Sequence, residues 1–353
     1  MSALTEILRR QIALSGPLNI AEYMNLCLQH PQHGYYITRD PFGVAGDFTT
    51  APEISQMFGE MIGLALAQIW LDQGSHPLML VEAGPGRGTL MADILRSTAR
   101  VPGFQDAVQV HLIETSPVLR DRQRQSLGAH PVTWHDSIHD LPDGPMLFIA
   151  NEFFDALPIR QFVRKGSGWA ERSVGLVEDE LNFGLLSPTA QPVLDDLFSD
   201  VEDGTLVEWC PAAAPMMEGI ASRVAQGGAA IIIDYGAPDG TGDTLQALQT
   251  QKPVDPLATP GQADLTAHVN FGHLAKAAGL DNGLEDQGVF LELLGITARA
   301  QQLAPHDSRI AAAHRRLTHP QEMGTLFKVL GLSAHMRPLP GFRNFTTKGS
   351  YTQ

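Results

Sequence analysis

The chain has 353 residues, 43% of them apolar and 18% charged, enough for a large α/β domain with an addition or for two domains. So few charges argue against long disordered stretches. Its 24 basic residues stand against 39 acids for a formal charge of −15, and no basic run exceeds two residues, which argues against a nucleic-acid partner. Cys27 and Cys210 are the only cysteines, so a disulfide framework is excluded and a reducing compartment is expected. No apolar run approaches the roughly 20 residues of a bilayer span, so no membrane insertion is expected. The first residues lack an apolar signal core and carry Glu6 and Glu22, so a cytoplasmic location, or a mature form already processed, is expected.

Residues 1–75 read as a helical N-terminal cap. Asn19 and Glu22 form a capping-box pattern before Ile20 to Leu28. Thr50 and Glu53 repeat it, with Pro52 in the first turn, before a longer helix to about Asp72. On that helix Ile54, Met57, Phe58, Met61, Ala65 and Ile69 recur at helical spacing and read as core. Residues 76–158 read as the first part of a sheet core. Leu78 to Val81 is an apolar strand, followed by Glu82, then Gly84, Gly86 and Gly88, then a helical pattern from Met91. A dinucleotide fingerprint would place its third glycine at the sixth position from Gly84, where Thr89 stands. The order E-x-G-x-G-x-G instead resembles motif I of class I S-adenosylmethionine (AdoMet) methyltransferases, where missing Cβ atoms let the backbone lie against the ligand.

A second strand, Val108 to Ile113, ends at Glu114, a carboxylate able to accept hydrogen bonds from both ribose hydroxyls. A third, Val132 to Trp134, leads to Asp136, which reads either as the acid that holds an adenine amino group or as an N-cap or turn acid. The fourth, Met146 to Ala150, ends in Asn151, Glu152 and Asp155. Ligands of open parallel sheets sit beyond the strands' carboxyl ends, near the switch in strand order, so these three form a candidate substrate-side site. Residues 159–208 read as an inserted subdomain that shapes substrate choice. It opens with a hairpin in which Phe162 to Arg164 and Arg172 to Val174 flank a Lys165–Gly168 turn. Residues 209–353 read as the second part of the core. They hold a helix over 212–226, a fifth strand Ala229 to Asp234, further helices, and two last strands at Gly288 to Leu294 and Leu326 to Leu332. The tail from Arg337 reads as loose.

Several segments together resemble the MidA-type methyltransferases, the family that includes the mitochondrial arginine methyltransferase of respiratory complex I assembly. They are Gly46 to Glu60, Val81 to Leu90, Asn151 to Pro158, Asp264 to Phe271 and Met323 to Leu330, spread over about residues 16 to 342. The sequence departs from the family at Asn270, where Asp is common, and near Gln251, where a His is frequent. The resemblance implies an α/β class I methyltransferase fold with a helical N-terminal cap and an insert between strands four and five. It implies AdoMet as cofactor and, as partner, a protein client bearing the target arginine, with a complex I subunit among the candidates. Glu82, Gly84, Gly86, Gly88, Glu114, Asp136 and Asp47 would serve the cofactor, and Glu152, Asp155 and Asn151 the methyl acceptor. The Gly46 to Glu60 segment would close over the cofactor, with Asp47 meeting the methionine ammonium or only stabilising its turn.

Two other classes of function stay open: methylation of a small molecule or another side chain, and a non-catalytic assembly factor that binds AdoMet and a client. A homodimer is also left open. The thirteen histidines fit no zinc pattern, and no G-x-S-x-G elbow is present.

Overall fold

The computed structural model describes residues 2–38, 50–334 and 338–346. Asp47, and with it residues 46–49 of the expected closing segment, lies outside the described residues.

The chain forms two compact units, and neither is a single stretch of sequence. One contains residues 49–154, 214–236 and 274–353; the other contains 1–48, 155–213 and 237–273. The cut at residue 75 that chain order suggests is not where this division by contacts falls. Residues 49–75 belong with the sheet core, and residues 1–48 group with the segment after strand four.

In the first unit, the expected first five strands are present as Leu78–Ala83, Val108–Ile113, Val132–His135, Met146–Asn151 and Gly228–Ala237, all mutually parallel. The sixth is Asp281–Asp286 and the seventh Phe327–Ser333, which runs antiparallel to both its neighbours. The spatial order is 3-2-1-4-5-7-6, so the order reverses between strands one and four. Every residue of Leu78–Ala83 and of Met146–Asn151 is buried. Strands covered on both faces must be apolar throughout, which is why these runs were readable. Helices Gln56–Asp72 and Thr89–Thr98 pack against the sheet in one cluster that holds Phe58, Ile62, Leu66, Leu80, Met91, Ile94, Leu112, Ile149, Ile231 and Ile233.

Three sequence expectations are corrected here. The Thr50 helix is not continuous: Ala51–Ile54 ends at Ser55, and a second helix, Gln56–Asp72, starts there with the Ser55 hydroxyl accepting from Met57 N. Thr50 makes no side-chain cap, and Glu53 instead accepts from the Thr89 hydroxyl at 2.5 Å. Gly288 to Leu294 is not a strand but lies in helix Gln287–Leu293 and its C-cap. A Cβ on Gly288 would lie 2.2 Å from the Thr318 carbonyl, so close helix packing explains this glycine. The tail is anchored as far as Thr346: Leu339 and Phe342 are buried, Arg343 pairs with Glu285 at 2.8 Å, and Thr346 bridges Asn282.

In the second unit, a sheet runs Leu18–Asn19, Gly168–Val177, Arg160–Lys165, Leu206–Trp209, with Glu180–Leu185 also paired to Gly168–Val177. The expected hairpin is its centre. Helices Ala3–Ser15 and Ile20–Gln29 bury Leu8, Ile12, Tyr23, Met24 and Cys27 in the same cluster as Val174 and Leu265. The Asn19–Glu22 capping box is complete, with both reciprocal bonds at 2.9 Å. Among the described residues, no helix is long and apolar enough to cross a membrane, and no group of three or more His, Cys, Asp or Glu could hold a metal.

Candidate functional site

The glycine turn leaves strand one with three left-handed residues, Gly84 at φ +63°, Gly86 at +52° and Gly88 at +81°. L residues with a Cβ rarely adopt such angles, so the turn requires glycine at each point. Gly84 has a second reason. A Cβ there would lie 2.7 Å from Cδ2 of Phe153, so the space beside it belongs to the chain's own strand-four turn.

Strand register sorts the acids. Glu82 aligns with Leu112 on one side and Ile149 on the other. Side chains alternate along a strand, so Glu114 and Asn151, each two residues beyond those partners, continue the face on which Glu82 stands. Glu82 is buried, its Oε2 has no hydrogen-bond partner, and burial pushes its carboxyl up to about 8. Asn151 is also buried, and its Oδ1 also lacks a partner. Native interiors seldom leave such atoms unmatched, and each oxygen is able to accept a hydrogen bond from a ligand group.

Glu114 is half-buried at the tip of strand two. Its Oε1 accepts from Ser116 N at 2.7 Å and its Oε2 from the Gln123 amide at 3.3 Å. Burial raises its carboxyl above the ordinary range against the pull of these donors. Asp136 is exposed at the tip of strand three. It accepts from Arg120 at 2.7 Å, and that guanidinium also donates to the main-chain carbonyls of Glu114 and His135.

Strand four ends in an unusual conformation. Glu152 sits at φ +51°, a sparsely populated region for a residue with a side chain. Its Oε1 accepts from Ala51 N at 3.2 Å and from the Asn151 amide at 3.1 Å. The turn that follows is held by Asp234 at the end of strand five. Oδ2 of this fully buried side chain accepts from Phe153 N at 3.2 Å and Phe154 N at 3.0 Å, and Oδ1 from Tyr235 N at 3.0 Å. The sequence shows Asp234 only as the last residue of an apolar strand; the acid directly after Ile231-Ile232-Ile233 was the available signal. Gln123 and Asp234 are the positioning residues that sequence reading missed.

Asp155 opens the second segment of the second unit. It is buried there, and its carbonyl accepts from Ala267 N at 3.0 Å; burial, then the charges of Asp264 and Asp155, push the Tyr36 phenol up. The Tyr36 hydroxyl donates to Asp264 at 2.9 Å. Asn151 and Glu152 are therefore joined by a hydrogen bond, whereas Asp155 is placed among Tyr36 and Ala267 of the other unit.

The residues of the sheet unit suit AdoMet. The left-handed glycine turn is a cradle, the orphaned oxygens of Glu82 and Asn151 can accept hydrogen bonds, and Glu114 is a held carboxylate on the adjacent strand for ribose hydroxyls.

Comparison with known proteins agrees. The chain is 38% identical over 358 residues to the mitochondrial protein arginine methyltransferase NDUFAF7 of Danio rerio, covering 91% of this chain and 84% of the relative. It is 35% identical to the Homo sapiens protein of that name, over 93% of this chain and 82% of the relative. A crystal structure of a COG1565 superfamily member from Burkholderia thailandensis, bound to S-adenosyl-homocysteine, superposes with a TM-score of 0.83 at 30% identity, covering 99% of this chain and 96% of that one. Residues 61–290 match the family model of S-adenosyl-L-methionine-dependent methyltransferases known as Methyltransf_28. With the left-handed glycine turn, an acid at the tip of strand two and the 3-2-1-4-5-7-6 sheet in place, this chain belongs to that family of AdoMet-dependent methyltransferases.

Proposed function

We propose that this methyltransferase acts on an arginine side chain of a protein client, with Glu152 receiving the guanidinium. The supporting observation is the carboxylate fixed at the tip of strand four, in a chain whose relatives bear the name protein arginine methyltransferase. When bound, AdoMet supplies an electrophilic methyl group on a sulfonium. Glu82, Glu114 and the three glycines bind and orient that cofactor. Asp136 and, from outside the described residues, Asp47 add to the same role.

A guanidinium keeps its charge at all ordinary pH values, and its nitrogen lone pairs are delocalised. Paired carboxylate–guanidinium hydrogen bonds fix its plane and draw charge to one nitrogen, which leaves another free to attack. Holding that nitrogen in line contributes several kcal/mol of barrier, of the ~7–11 kcal/mol that orientation can supply. Glu152 already spends one oxygen on Ala51 N and the Asn151 amide, which fixes the carboxylate before the client arrives. Asn151 keeps an oxygen to accept from the substrate. A cytoplasmic location is proposed from the two unbridged cysteines and the acidic composition.

The test uses labelled AdoMet in lysate from a strain lacking this protein. Label on an arginine supports the reading. Label on another side chain or on a small molecule moves the substrate class, and no label with intact AdoMet binding points to a non-catalytic assembly factor. Glu152→Gln keeps the shape without the charge. It should bind AdoMet with unchanged affinity and lose most turnover, at least a hundredfold, by the scale of other transition-state electrostatic contacts. Full turnover by that variant rejects the role of Glu152.

A further inference from the structure

Gln123 lies on helix Pro117–Leu127, outside every motif of the family resemblance, yet its side chain is entirely buried. Each of its polar atoms is engaged. Nε2 donates to the Gly86 carbonyl at 2.7 Å and to Glu114 Oε2 at 3.3 Å. Oε1 accepts from Trp134 Nε1 at 2.8 Å, and Arg124 lies over the same indole at 4.7 Å from its centroid. The Gln123 backbone and side chain also pack 3.4 Å from where a Cβ on Gly88 would be. One amide therefore ties together the middle of the glycine turn, the strand-two acid and strand three.

A buried helix glutamine with such partners could be simple packing. The arrangement here is more specific, because the amide can be read in only one orientation. Gly86 O and Glu114 are acceptors and require its N–H₂, while the indole is a donor and requires its oxygen. An amide with every group satisfied and no choice of flip is a rigid strut.

We propose that Gln123 is the positioning residue for the nucleoside half of the cofactor: it sets the Glu114 carboxylate and the Gly86 peptide in the geometry that ribose and adenosine binding require. This rests on the reading of Glu114 as the ribose acid. Gln123→Glu is the sharp variant. It has the same shape and keeps an acceptor for Trp134. It replaces both donated bonds with a carboxylate facing Gly86 O and Glu114.

Calorimetry with two probes tests this, S-adenosylhomocysteine and 5′-methylthioadenosine, which has the nucleoside but no amino-acid tail. Affinity for both should fall by the same factor, tenfold or more, with the circular dichroism spectrum unchanged. In a Glu114→Ala background the further loss from Gln123→Glu should shrink to less than threefold, because the group it acts through is gone. Wild-type affinity, or a loss for S-adenosylhomocysteine that spares 5′-methylthioadenosine, overturns the proposal. If Gln123→Glu does not fold, Gln123→Met decides: an equal loss for both probes supports the role, and unchanged affinity overturns it. Failure of both variants to fold makes Gln123 a residue of the fold alone, which also overturns it. Unchanged affinity of Glu114→Ala by itself would instead remove the ribose-acid reading and the proposal resting on it, a result separable from any effect of Gln123.

Discussion

Two buried carboxylates stand near the carboxyl ends of parallel strands in one sheet, Glu82 in strand one and Asp234 in strand five. Asp234 accepts three main-chain N–H groups and holds the turn beyond strand four. Glu82 accepts at most a main-chain contact from Met91, leaves one oxygen unmatched, and is held largely neutral by burial at pH 7. Equal depth thus has opposite meanings. A buried acid surrounded by N–H donors belongs to the architecture, and one without them is waiting for a ligand group.

The largest expected difference between the two is in stability. Asp234→Ala would take the acceptor from the buried Phe154 N and the part-buried Phe153 N, at about 1–3 kcal/mol for each donor. The melting temperature should drop by roughly 4–24 °C, given about 2–4 °C per kcal/mol for a unit of this size. A drop below 2 °C would show that the turn is held by something else.

Glu82 should behave the other way. Its folded-state pKa is raised, so its contribution to stability is full below the unfolded value of about 4.5 and is lost as pH rises to about 8. The loss is steepest between these values, at up to about 1.4 kcal/mol per pH unit. Thermal melts of Glu82→Gln should lack this slope and should exceed wild type near pH 8. Parallel curves for the two proteins would mean that Glu82 is already ionised in the free protein.

The same contrast predicts a proton count. If Glu82 receives the cofactor's ammonium, it ionises on binding and releases close to one proton at pH 7. Titrations in buffers of different ionisation enthalpy read this directly, and a count near zero would assign the ammonium to another acid, Asp47 among them.

The smallest difference concerns two hydroxyls. Ser55→Ala removes a helix cap and should cost about 1 kcal/mol, whereas Thr50→Ala, with no cap bond, should cost only a few tenths. Equal costs would mean that the break at Ser55 is not what anchors the long helix.

Much of this fold could be read from the chain because strands covered on both faces leave unbroken apolar runs. Leu78–Ala83 and Met146–Asn151 are of this kind, Val108–Ile113 is buried only from Val110 onward, and each is followed or closed by the polar residue that points to the site. Asp281–Asp286 could not be read so, since it lies at a sheet edge and carries three acids, of which Glu285 pairs with Arg343 and Asp286 with Lys328. The apolar Val289-Phe290-Leu291 beside it drew the strand assignment, because a run that short has no resolvable period. Gln123 and Asp234 escaped for a different reason. Their roles lie in partners 37 and about 80 residues away, and nothing local to either residue encodes that distance. The division into units was hidden likewise, because the N-terminal helices bury their apolar faces against strands that come much later in the chain.

The order of the strands also bears on synthesis. Strand seven is inserted between strands five and six, so the Ala229–Tyr235 stretch of strand five lacks its strand-seven partner until the last strand of the sheet has left the ribosome. Its Ala229-Ala230-Ile231-Ile232-Ile233 run is an apolar, uncharged edge for that interval, the type that pairs with other nascent chains. Truncation or stalling before Phe327 therefore turns the most hydrophobic strand of the sheet into its sticky rim. Yield of soluble protein should depend more on how promptly strand seven docks than on any residue that touches the cofactor.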